Sequence, residues 1–301
     1  MPTLKDIRKR IASVKNTQKI TRAMKLVSAA KLRRAQEAMQ ELRPYAAKNR
    51  ELLQSLVAQL GAADSEQAAH PLLARRETVK RIAVLALSSD RGMCGGFNSS
   101  LQKALAGYVR TRRAEVDEVV VFGLGRRVSL FIDKSGFGKG ESFGEIITAS
   151  RDEEGAIHTI AQRLVDGFLG GEFDEVVVIF NSFKSAIAQV ATVQPLLPVV
   201  AEVGAEAAAG AGATSTGDLI YEPDQTSLLA YLVPRSVEVQ VRQAILESVA
   251  GEHAARMNAM NSATDNASEM IKSLTLQANR ARQAAITKEL MEIIGGAEAL
   301  S

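Results

Sequence analysis

Residues Ile7–Gln36, near the start of the chain, read IRKRIASVKNTQKITRAMKLVSAAKLRRAQ. This stretch contains ten lysines and arginines, no acidic residue, and neither proline nor glycine. Apolar residues recur through it three or four positions apart, which is the spacing of one face of an α-helix. The stretch therefore predicts a helix with an apolar stripe and an otherwise cationic surface.

The predicted helix extends from about Thr3 to Leu60, and its apolar stripe changes phase along the way. From Leu32 onward the three-and-four spacing is regular. Nearer the start, two apolar runs are out of phase with each other: Leu4, Ile7, Ile11 and Val14, then Ile20, Met24 and Val27. This change predicts that different faces of the helix are buried at different heights.

A second long helix is predicted from about Ser236 to Ile294. Its apolar and small residues form one seam: Met257, Met260, Thr264, Ala267, Ile271, Leu274, Ala278, Ala281 and Ala285. Pro44 and Pro234 are expected to kink or locally break the two helices, and Gly295–Gly296 to end the second one.

The lengths of these helices predict how they are arranged. At about 1.5 Å per residue each would reach ~90 Å, whereas a compact chain of this size has a radius of gyration of only about 19 Å. Because an isolated helix is marginal in water, we expect the two to pair antiparallel as a coiled coil that projects from the remainder of the chain.

The middle of the chain alternates strands with helices, which is typical of a Rossmann-like, mostly parallel sheet. The expected elements are strands at Val79–Leu87, Val116–Gly123 and Asp174–Asn181, helices from Leu101 and at Glu153–Leu169, and an edge strand within Ala186–Val199 that Pro195 and Pro198 stop. An Ala/Gly-rich segment, Glu202–Asp218, is expected to be a flexible loop. The predicted domains are residues 1–75, 76–225 and 226–301, namely the first helix, an α/β head and the second helix.

Composition and charge narrow the classes of function. The net charge of +3 hides an asymmetry, because residues 1–34 hold eleven Lys/Arg against Asp6 alone. Aromatic residues make up 4% of the chain, with no tryptophan, so a base-stacking surface is not expected. The single Cys94 excludes an internal disulfide, and no apolar run approaches the ~18 residues of a membrane span. We expect an intracellular protein without a targeting segment.

Two glycine-rich turns are candidates for nucleotide sites. GLGRRV (Gly123–Val128) starts like a dinucleotide fingerprint but has valine at the third glycine position. DRGMCGGFN (Asp90–Asn98) lacks the lysine of a P-loop, so we expect a structural turn with positive φ at Gly92, Gly95 or Gly96. Cys94 is expected to be inert, and the three histidines, His70, His158 and His253, are too scattered to suggest a metal site. No catalysis, metal or cofactor is predicted for this chain.

The unopposed positive charge predicts an anionic partner, because like charges four residues apart destabilise a free helix. Nucleic acid, an anionic membrane surface and an acidic protein ring are the candidates. Two other interpretations remain open at this point. One is an α/β nucleotide-binding enzyme with helical dimerisation arms, and the other is a basic coiled-coil nucleic-acid-binding protein.

Three separated motifs resemble one known family, the γ subunit of the rotary F-type ATP synthase, bacterial type. They are KDIRKRIASVKNTQKITRAMKLVSAAKLRRAQ (Lys5–Gln36), SSDRGMCGGFN (Ser88–Asn98) and ITKELMEIIGGAEA (Ile286–Ala299). The resemblance covers essentially the whole chain except residues 202–218. The plant-type insertion with two cysteines is missing, so thiol regulation is not expected.

The resemblance implies a rotor shaft inside a ring of α and β subunits, with the α/β head against the ε subunit and the c-subunit ring. Proton flow would turn the c ring and shaft and drive the β sites through their catalytic states. This chain would be non-catalytic and bind no cofactor, since Mg-ATP and ADP would be held by the partner subunits. It would lie on the cytoplasmic side of a bacterial cell membrane, touching the membrane only through the c ring and binding no nucleic acid.

The resemblance also implies partner-binding residues. Arg282 and Gln283 are expected to contact a loop of a β subunit, and Arg256 is a further candidate. Seven more residues are expected at the interface with the ring: Met24, Lys25, Arg33, Arg34, Thr287, Glu289 and Glu292.

Overall fold

The computed structural model describes residues 3–61, 70–143, 153–199, 222 and 224–298, so the loop predicted at 202–218 lies outside the described residues. Its elements are α1 (Leu4–Gly61), a 3-10 turn (Pro71–Leu73), β1 (Arg81–Leu87), α2 (Phe97–Arg112), β2 (Glu118–Leu124), α3 (Arg126–Ser135), β3 (Gly138–Ser142), α4 (Glu153–Leu169), β4 (Glu175–Phe183), β5 (Gln189–Leu197) and α5 (Gln225–Glu298). The chain divides into two compact units. We call residues 1–30 with 256–301 the helical unit and residues 31–255 the sheet unit.

The sheet has five strands in the order β3-β2-β1-β4-β5. β1 pairs in parallel with β2 and with β4, and β2 pairs in parallel with β3, while β5 is antiparallel to β4. The predicted fold class, a mostly parallel α/β sheet with long helices at both ends of the chain, is confirmed.

The central strand β1 is buried on both faces, which is why its sequence, RIAVLAL, is apolar almost throughout. One face of the sheet packs on α2 and α3, and the other packs on α4 and on the parts of α1 and α5 in the sheet unit. The core residues on the first side of the sheet include Ile82, Val84, Leu101, Leu105 and Ile132. Those on the second include Leu85, Leu56, Ile160, Leu164 and Val237.

Two details of the sheet differ from the sequence-based expectation. β3, with the sequence GKGES, was not predicted because it lacks the apolar alternation of a strand. Its glycines are needed there: a Cβ on Gly140 would lie 2.9 Å from the Phe122 ring, and one on Gly138 would lie 2.5 Å from the carbonyl oxygen of Val119. Pro195 lies inside β5 and does not stop it, since an edge strand tolerates a residue without an N–H donor.

Both long helices run unbroken through their prolines, so the predicted local breaks are wrong. Pro44 removes one hydrogen bond to the carbonyl of Gln40, and Pro234 removes one to the carbonyl of Ala230. Gln40 and Ala230 are both exposed, so water can hydrogen-bond to each freed carbonyl.

The end of α5 also differs from the expectation. The helix continues through Gly295–Gly296 to Glu298, so the prediction that these glycines end it is wrong. A glycine inside a helix costs about 1 kcal/mol relative to alanine. This cost disfavours the helix without forbidding it.

The inner face of α1 keeps one phase over its whole length. Its positions in the helical unit are Leu4, Ile7, Ile11, Val14, Gln18, Thr21, Lys25 and Ser28, and those in the sheet unit are Leu32, Ala35, Met39, Leu42, Ala46, Asn49, Leu53 and Leu56, all buried or half-buried. The predicted change of phase is therefore wrong. The seam continues through polar residues, which a search for apolar periodicity does not detect.

The seam predicted on α5 is buried or half-buried from Met257 to Ala281, while Ala285 is exposed. Thr21 lies opposite Thr264, and counting back along α1 in the antiparallel direction brings Leu4 opposite Ala281. The seam ends there because α1 begins at Leu4. No helix in the described part of the chain is long and apolar enough to cross a membrane.

Asp174 joins β4 to the segment that leads into β1. Its carboxylate accepts hydrogen bonds from the backbone N–H groups of Lys80 and Arg81, both at 2.8 Å, and from the Arg76 guanidinium. Arg76 also donates to the carbonyl oxygen of Phe168 at 2.7 Å. Burial alone would raise the pKa of Asp174, but the two backbone N–H groups and Arg76 outweigh it and hold that pKa below its ordinary value.

We expect Asp174→Asn to lower the free energy of unfolding by about 3 kcal/mol at neutral pH, because it leaves the Arg76 charge without its partner. A lowered folded pKa stabilises the protein above the unfolded pKa of about 4, and this contribution is lost as the pH falls through the folded value. Urea unfolding at pH 7 and at about pH 2 checks both points.

The matched control for this prediction is Asp133→Asn, which removes a surface carboxylate that pairs with Lys139. Because both side chains are about half exposed, we expect a loss of less than about 1 kcal/mol. Equal losses in the two variants, or a loss for Asp174→Asn that persists unchanged at low pH, would contradict the prediction.

Candidate partner-docking surface

In the helical unit, three side-chain pairs join α1 to α5. Gln18 Nε2 donates to Ser268 Oγ at 2.6 Å, the hydroxyls of Thr21 and Thr264 lie 2.8 Å apart, and Lys25 Nζ donates to Asn261 Oδ1 at 2.6 Å. We call these six residues the polar block. Since they occupy the inner positions, the apolar residues beside them in the sequence point outward.

Large apolar side chains are exposed on the outer positions of the helical unit. On α1, Ile20 is 60% exposed, Leu26 is 64% and Val27 is 57%. On α5, Met270 and Leu276 are exposed to a similar degree. We call these five side chains the outer apolar residues. Ile20 and Val27 are seven residues apart and so share one face of α1, which makes this face a candidate interaction site.

The C-terminal part of α5 is the most exposed segment of the helical unit. Every side chain described between Arg282 and Ile294 is exposed. Ile286, Leu290 and Ile293 are four and three positions apart, so they share one face of the helix. This stripe has no cover among the described residues of the chain.

Positive charge accompanies the apolar side chains on α1. Residues 3–30 carry eight cations, Lys5, Arg8, Lys9, Arg10, Lys15, Lys19, Arg22 and Lys25, and one acid, Asp6. Asp6 caps the helix: its carboxylate accepts from the backbone N–H of Thr3 at 3.1 Å, while the Thr3 hydroxyl accepts from the backbone N–H of Asp6 at 3.3 Å. The Thr3 hydroxyl also donates to the Asp6 carboxylate at 2.7 Å, and this bond and the one from the Thr3 backbone N–H lower the pKa of Asp6. Except for Lys25, the cations are exposed.

At the glycine-rich turn before α3, residues of this chain already accept hydrogen bonds from the backbone N–H groups. The first three backbone N–H groups of α3 are bonded: Arg126 to Asp90 Oδ1 at 2.9 Å, Arg127 to the Ser89 carbonyl at 3.2 Å, and Val128 to Ser88 Oγ at 2.8 Å. A dinucleotide fingerprint needs these donors for the pyrophosphate. The Asp90 carboxylate holds the position that such a phosphate would take.

The turn before α2 is held together by Asn98. Its Oδ1 accepts from the backbone N–H of Ser89 at 3.2 Å, and its Nδ2 lies 2.8 Å from Ser89 Oγ and 3.2 Å from Cys94 Sγ. Cys94 is only 2% exposed. Of the three glycines named for this turn, Gly92, Gly95 and Gly96, only Gly95 has positive φ, at 57°, and Met93 shares that conformation at 62°. No group of three or more His, Cys, Asp or Glu in the described residues is placed to hold a metal ion.

Comparison with known proteins gives the family. The family model described as ATP synthase matches residues 3–300. The ATP synthase gamma chain of Trichlorobacter lovleyi is 48% identical over 301 residues, covering 100% of this chain and 99% of that protein. The chain belongs to the ATP synthase gamma-chain family. The gamma chains of Geobacter metallireducens and Chlorobium limicola are 47% and 43% identical, each over 100% of this chain and 99% of the relative.

Solved structures show the same fold. A chain from the central stalk and c-ring of the Tetrahymena thermophila mitochondrial ATP synthase superposes with a TM-score of 0.56 at 23% identity, over 81% of this chain and 99% of that one. A chain from the Euglena gracilis mitochondrial ATP synthase gives 0.60 at 17% identity, over 99% and 94%. At these identities the likeness concerns the fold alone.

The predicted partner-binding residues fall into three groups in this family member. Arg282, Gln283, Thr287 and Glu289 are exposed on the C-terminal part of α5, where Thr287 Oγ1 donates to the Gln283 carbonyl at 3.0 Å. The side chain of Glu292 lies outside the described residues. All of these remain predictions, because no partner is present.

The second group is less accessible to a partner, and the third group belongs to the sheet unit. Met24 and Lys25 are half-buried, and Arg256 is only 9% exposed. Arg33 and Arg34 are exposed in the sheet unit, where Arg33 pairs with Glu37 at 2.9 Å. Their contacts with a partner also remain predictions.

The sequence reasoning missed the outer apolar residues. It assigned Ile20 and Val27 to the buried stripe, although both are more than half exposed. The signal that could have revealed the outer apolar residues is the heptad repeat of the α1 seam, which continues unbroken through Gln18, Thr21 and Lys25. Polar residues can occupy seam positions when the facing helix is polar too.

Proposed function

We propose that this chain is the central rotor shaft of a bacterial F-type ATP synthase, coupling proton-driven rotation to conformational change at catalytic sites on partner subunits. The observation that carries the proposal is the exposure of Ile20, Leu26 and Val27 on a helix that carries eight cations and one acid within residues 3–30. A surface that is both apolar and cationic fits an enclosing partner that is both apolar and acidic.

The family and the solved structures support partners within an ATP synthase. Chains of the same fold come from assemblies described as central stalk with c-ring and as OSCP, F1 and c-ring. We propose that the helical unit binds the ring of α and β subunits, and that the sheet unit binds the ε subunit and the c-subunit ring. Contact with the cytoplasmic side of the bacterial cell membrane would then be made through the c ring alone.

The energetics of the surface suit a rotating contact. An exposed ion pair contributes about 1 kcal/mol or less, so the cations of α1 can attract acidic groups without holding them permanently. The two helices of the helical unit also present different side chains to their surroundings, with most cations on α1 and the stripe of Ile286, Leu290 and Ile293 on α5. A shaft with unequal sides can impose different states on the subunits around it.

We propose that the chain has no active site and binds no nucleotide, so that Mg-ATP and ADP are handled by the partner subunits. In support, the start of α3 is capped by the Asp90 carboxylate, and the buried Cys94 is packed against Ser89 and Asn98. An α/β nucleotide-binding enzyme would need the backbone N–H groups that here donate hydrogen bonds to Asp90, Ser89 and Ser88.

Reconstitution tests the proposal. Purified α and β subunits of a bacterial ATP synthase should gain cooperative ATP hydrolysis when this chain is added, and a filament fixed to the sheet unit should rotate. Stoichiometric binding of ATP or ADP by the isolated chain, without an effect on the ring, would support the enzyme instead. Retention on DNA with a steep dependence on salt would support a nucleic-acid-binding protein.

A further inference from the structure

We infer that the polar block (Gln18, Thr21, Lys25, Asn261, Thr264 and Ser268) sets the axial register of α1 against α5 in the helical unit. The block consists of three consecutive cross-helix pairs at 2.6, 2.8 and 2.6 Å. Its members are positioning residues: they act by fixing where the outward side chains of the two helices stand relative to each other.

The apolar part of the seam cannot fix the register by itself. Within the helical unit, a slip by one heptad, seven residues, brings an apolar residue opposite another apolar one along most of the apolar part of the seam, from Leu4 to Val14. For example, Ile11 lies opposite Leu274 in the observed register and would meet Ala281 or Ala267 after a slip. Packing alone therefore separates the registers weakly, because hydrophobic contact is not directional.

The polar block does separate the registers. After a slip of seven residues, Thr21 would lie opposite Ile271 in one direction or Met257 in the other. Its hydroxyl would then lose the bond that Thr264 makes with it. Its other bond, to the Gln18 carbonyl of its own helix, does not depend on the register, so the Thr264 bond is what distinguishes one register from another. A single polar pair at a seam position is enough to specify register in coiled coils.

Local hydrogen bonds make the block more rigid. The Thr264 hydroxyl can also donate to the Met260 carbonyl at 2.7 Å, and the Thr21 hydroxyl to the Gln18 carbonyl at 3.0 Å. One hydroxyl can donate across the seam while the other donates to its own helix. Asn261 Nδ2 donates to Asp265 Oδ2 at 3.1 Å, which orients its Oδ1 toward Lys25.

The register matters for the surface that the two helices present together. At about 1.5 Å per residue, a slip of seven residues would displace Ile20 and Val27 of α1 by about 10 Å relative to Met270 and Leu276 of α5. This consequence rests on the proposed shaft function. The register itself does not, because it is a property of the isolated chain.

Disulfide cross-linking of the full chain tests the inference. Ile11→Cys is combined with Leu274→Cys to report the observed register, and with Ala281→Cys or Ala267→Cys to report a slip in either direction. Cys94 is 2% exposed and does not compete. The Thr21–Thr264 bond is lost in a slip in either direction, and one hydrogen bond favours its register about fivefold, so in the parent chain the slipped pairs should cross-link at least about fivefold less than the observed pair.

The test variant makes the block apolar, with Gln18→Leu, Thr21→Val, Lys25→Leu, Asn261→Leu, Thr264→Val and Ser268→Ala. We expect its slipped pairs to cross-link at yields close to that of the observed pair, while its melting temperature is equal to or above that of the parent, since apolar replacement of a buried polar group is often stabilising. Thr21→Ser with Thr264→Ser keeps the hydroxyls and should keep the parent pattern.

Two results would overturn the inference. If the apolar variant still cross-links only through Leu274→Cys, the register is set elsewhere in the chain. If it melts well below the parent and keeps the register, the block has a purely structural role. Thr21→Val with Thr264→Val preserves the side-chain shape and carries the same test with about a fivefold shift, should the larger variant not fold. Neither outcome depends on the catalytic ring, so a failed reconstitution leaves this result interpretable.

Discussion

Replacing Ile20 and Val27 together by glutamate is expected to abolish stimulation of the catalytic ring at concentrations where the parent chain saturates it. Each of these side chains would lose about 1.5–3 kcal/mol of burial against a partner, and the new carboxylates would be placed where the surface is apolar. We therefore expect affinity for the ring to fall by at least about a hundredfold.

The fold of the variant is expected to be unchanged, because both side chains are more than half exposed in the isolated chain. Titration of ring ATPase activity gives the affinity, and thermal melting of the isolated chain reports stability. The matched control is Leu169→Glu at the end of α4, where an apolar side chain is 50% exposed in the sheet unit. Full stimulation by the double variant at the parent concentration would show that Ile20 and Val27 are not docking residues.

The second large effect is expected at Gly125, where replacement by alanine should lower the free energy of unfolding by about 4 kcal/mol. Gly125 has φ 101° and ψ 143°, a conformation that residues with a side chain avoid. An added Cβ would also lie 2.2 Å from the Ser88 carbonyl oxygen. Neither the turn nor Ser88 can move easily, because Ser88 Oγ accepts from the N–H of Val128.

Gly136→Ala provides the control for this substitution. Gly136 follows α3 with φ 64°, and nothing lies within 4 Å of an added Cβ. Only the left-handed conformation is penalised there, at about 1 kcal/mol. Urea unfolding of the two variants measures the difference. If both lose the same amount, the contact between Gly125 and Ser88 contributes nothing to stability.

Much of the architecture was predictable from the chain alone. The helix at Glu153–Leu169 was predicted with the bounds that the structure shows, and the three central strands were placed within two residues. The burial of each of these elements can be seen in its own sequence. A strand that is covered on both faces is an apolar run, and a helix that is covered on one side has an apolar stripe. In contrast, β3 is a strand because it pairs with β2, where Val119 and Phe122 leave no room for a Cβ at Gly138 or Gly140, and no local pattern in the sequence predicts such a contact.

The candidate docking surface was also predictable from the sequence only in part. Positive charge at the start of α1 was evident from composition, whereas the exposure of Ile20, Leu26 and Val27 was not. Apolar residues on a helix predict that some face is covered, but they do not say by what. Ile20 and Val27 lie outside the seam because the polar residues Gln18, Thr21 and Lys25 occupy its positions.

The sequence by itself determined that both ends of this chain form long helices, that a mostly parallel sheet lies between them, and that the first helix carries cations without acids to balance them. Only the tertiary structure decided which side of each helix faces its neighbour. The physical reason is that a polar residue can occupy a buried seam when its partner is supplied by another helix, as Thr264 does for Thr21, more than two hundred residues away along the chain.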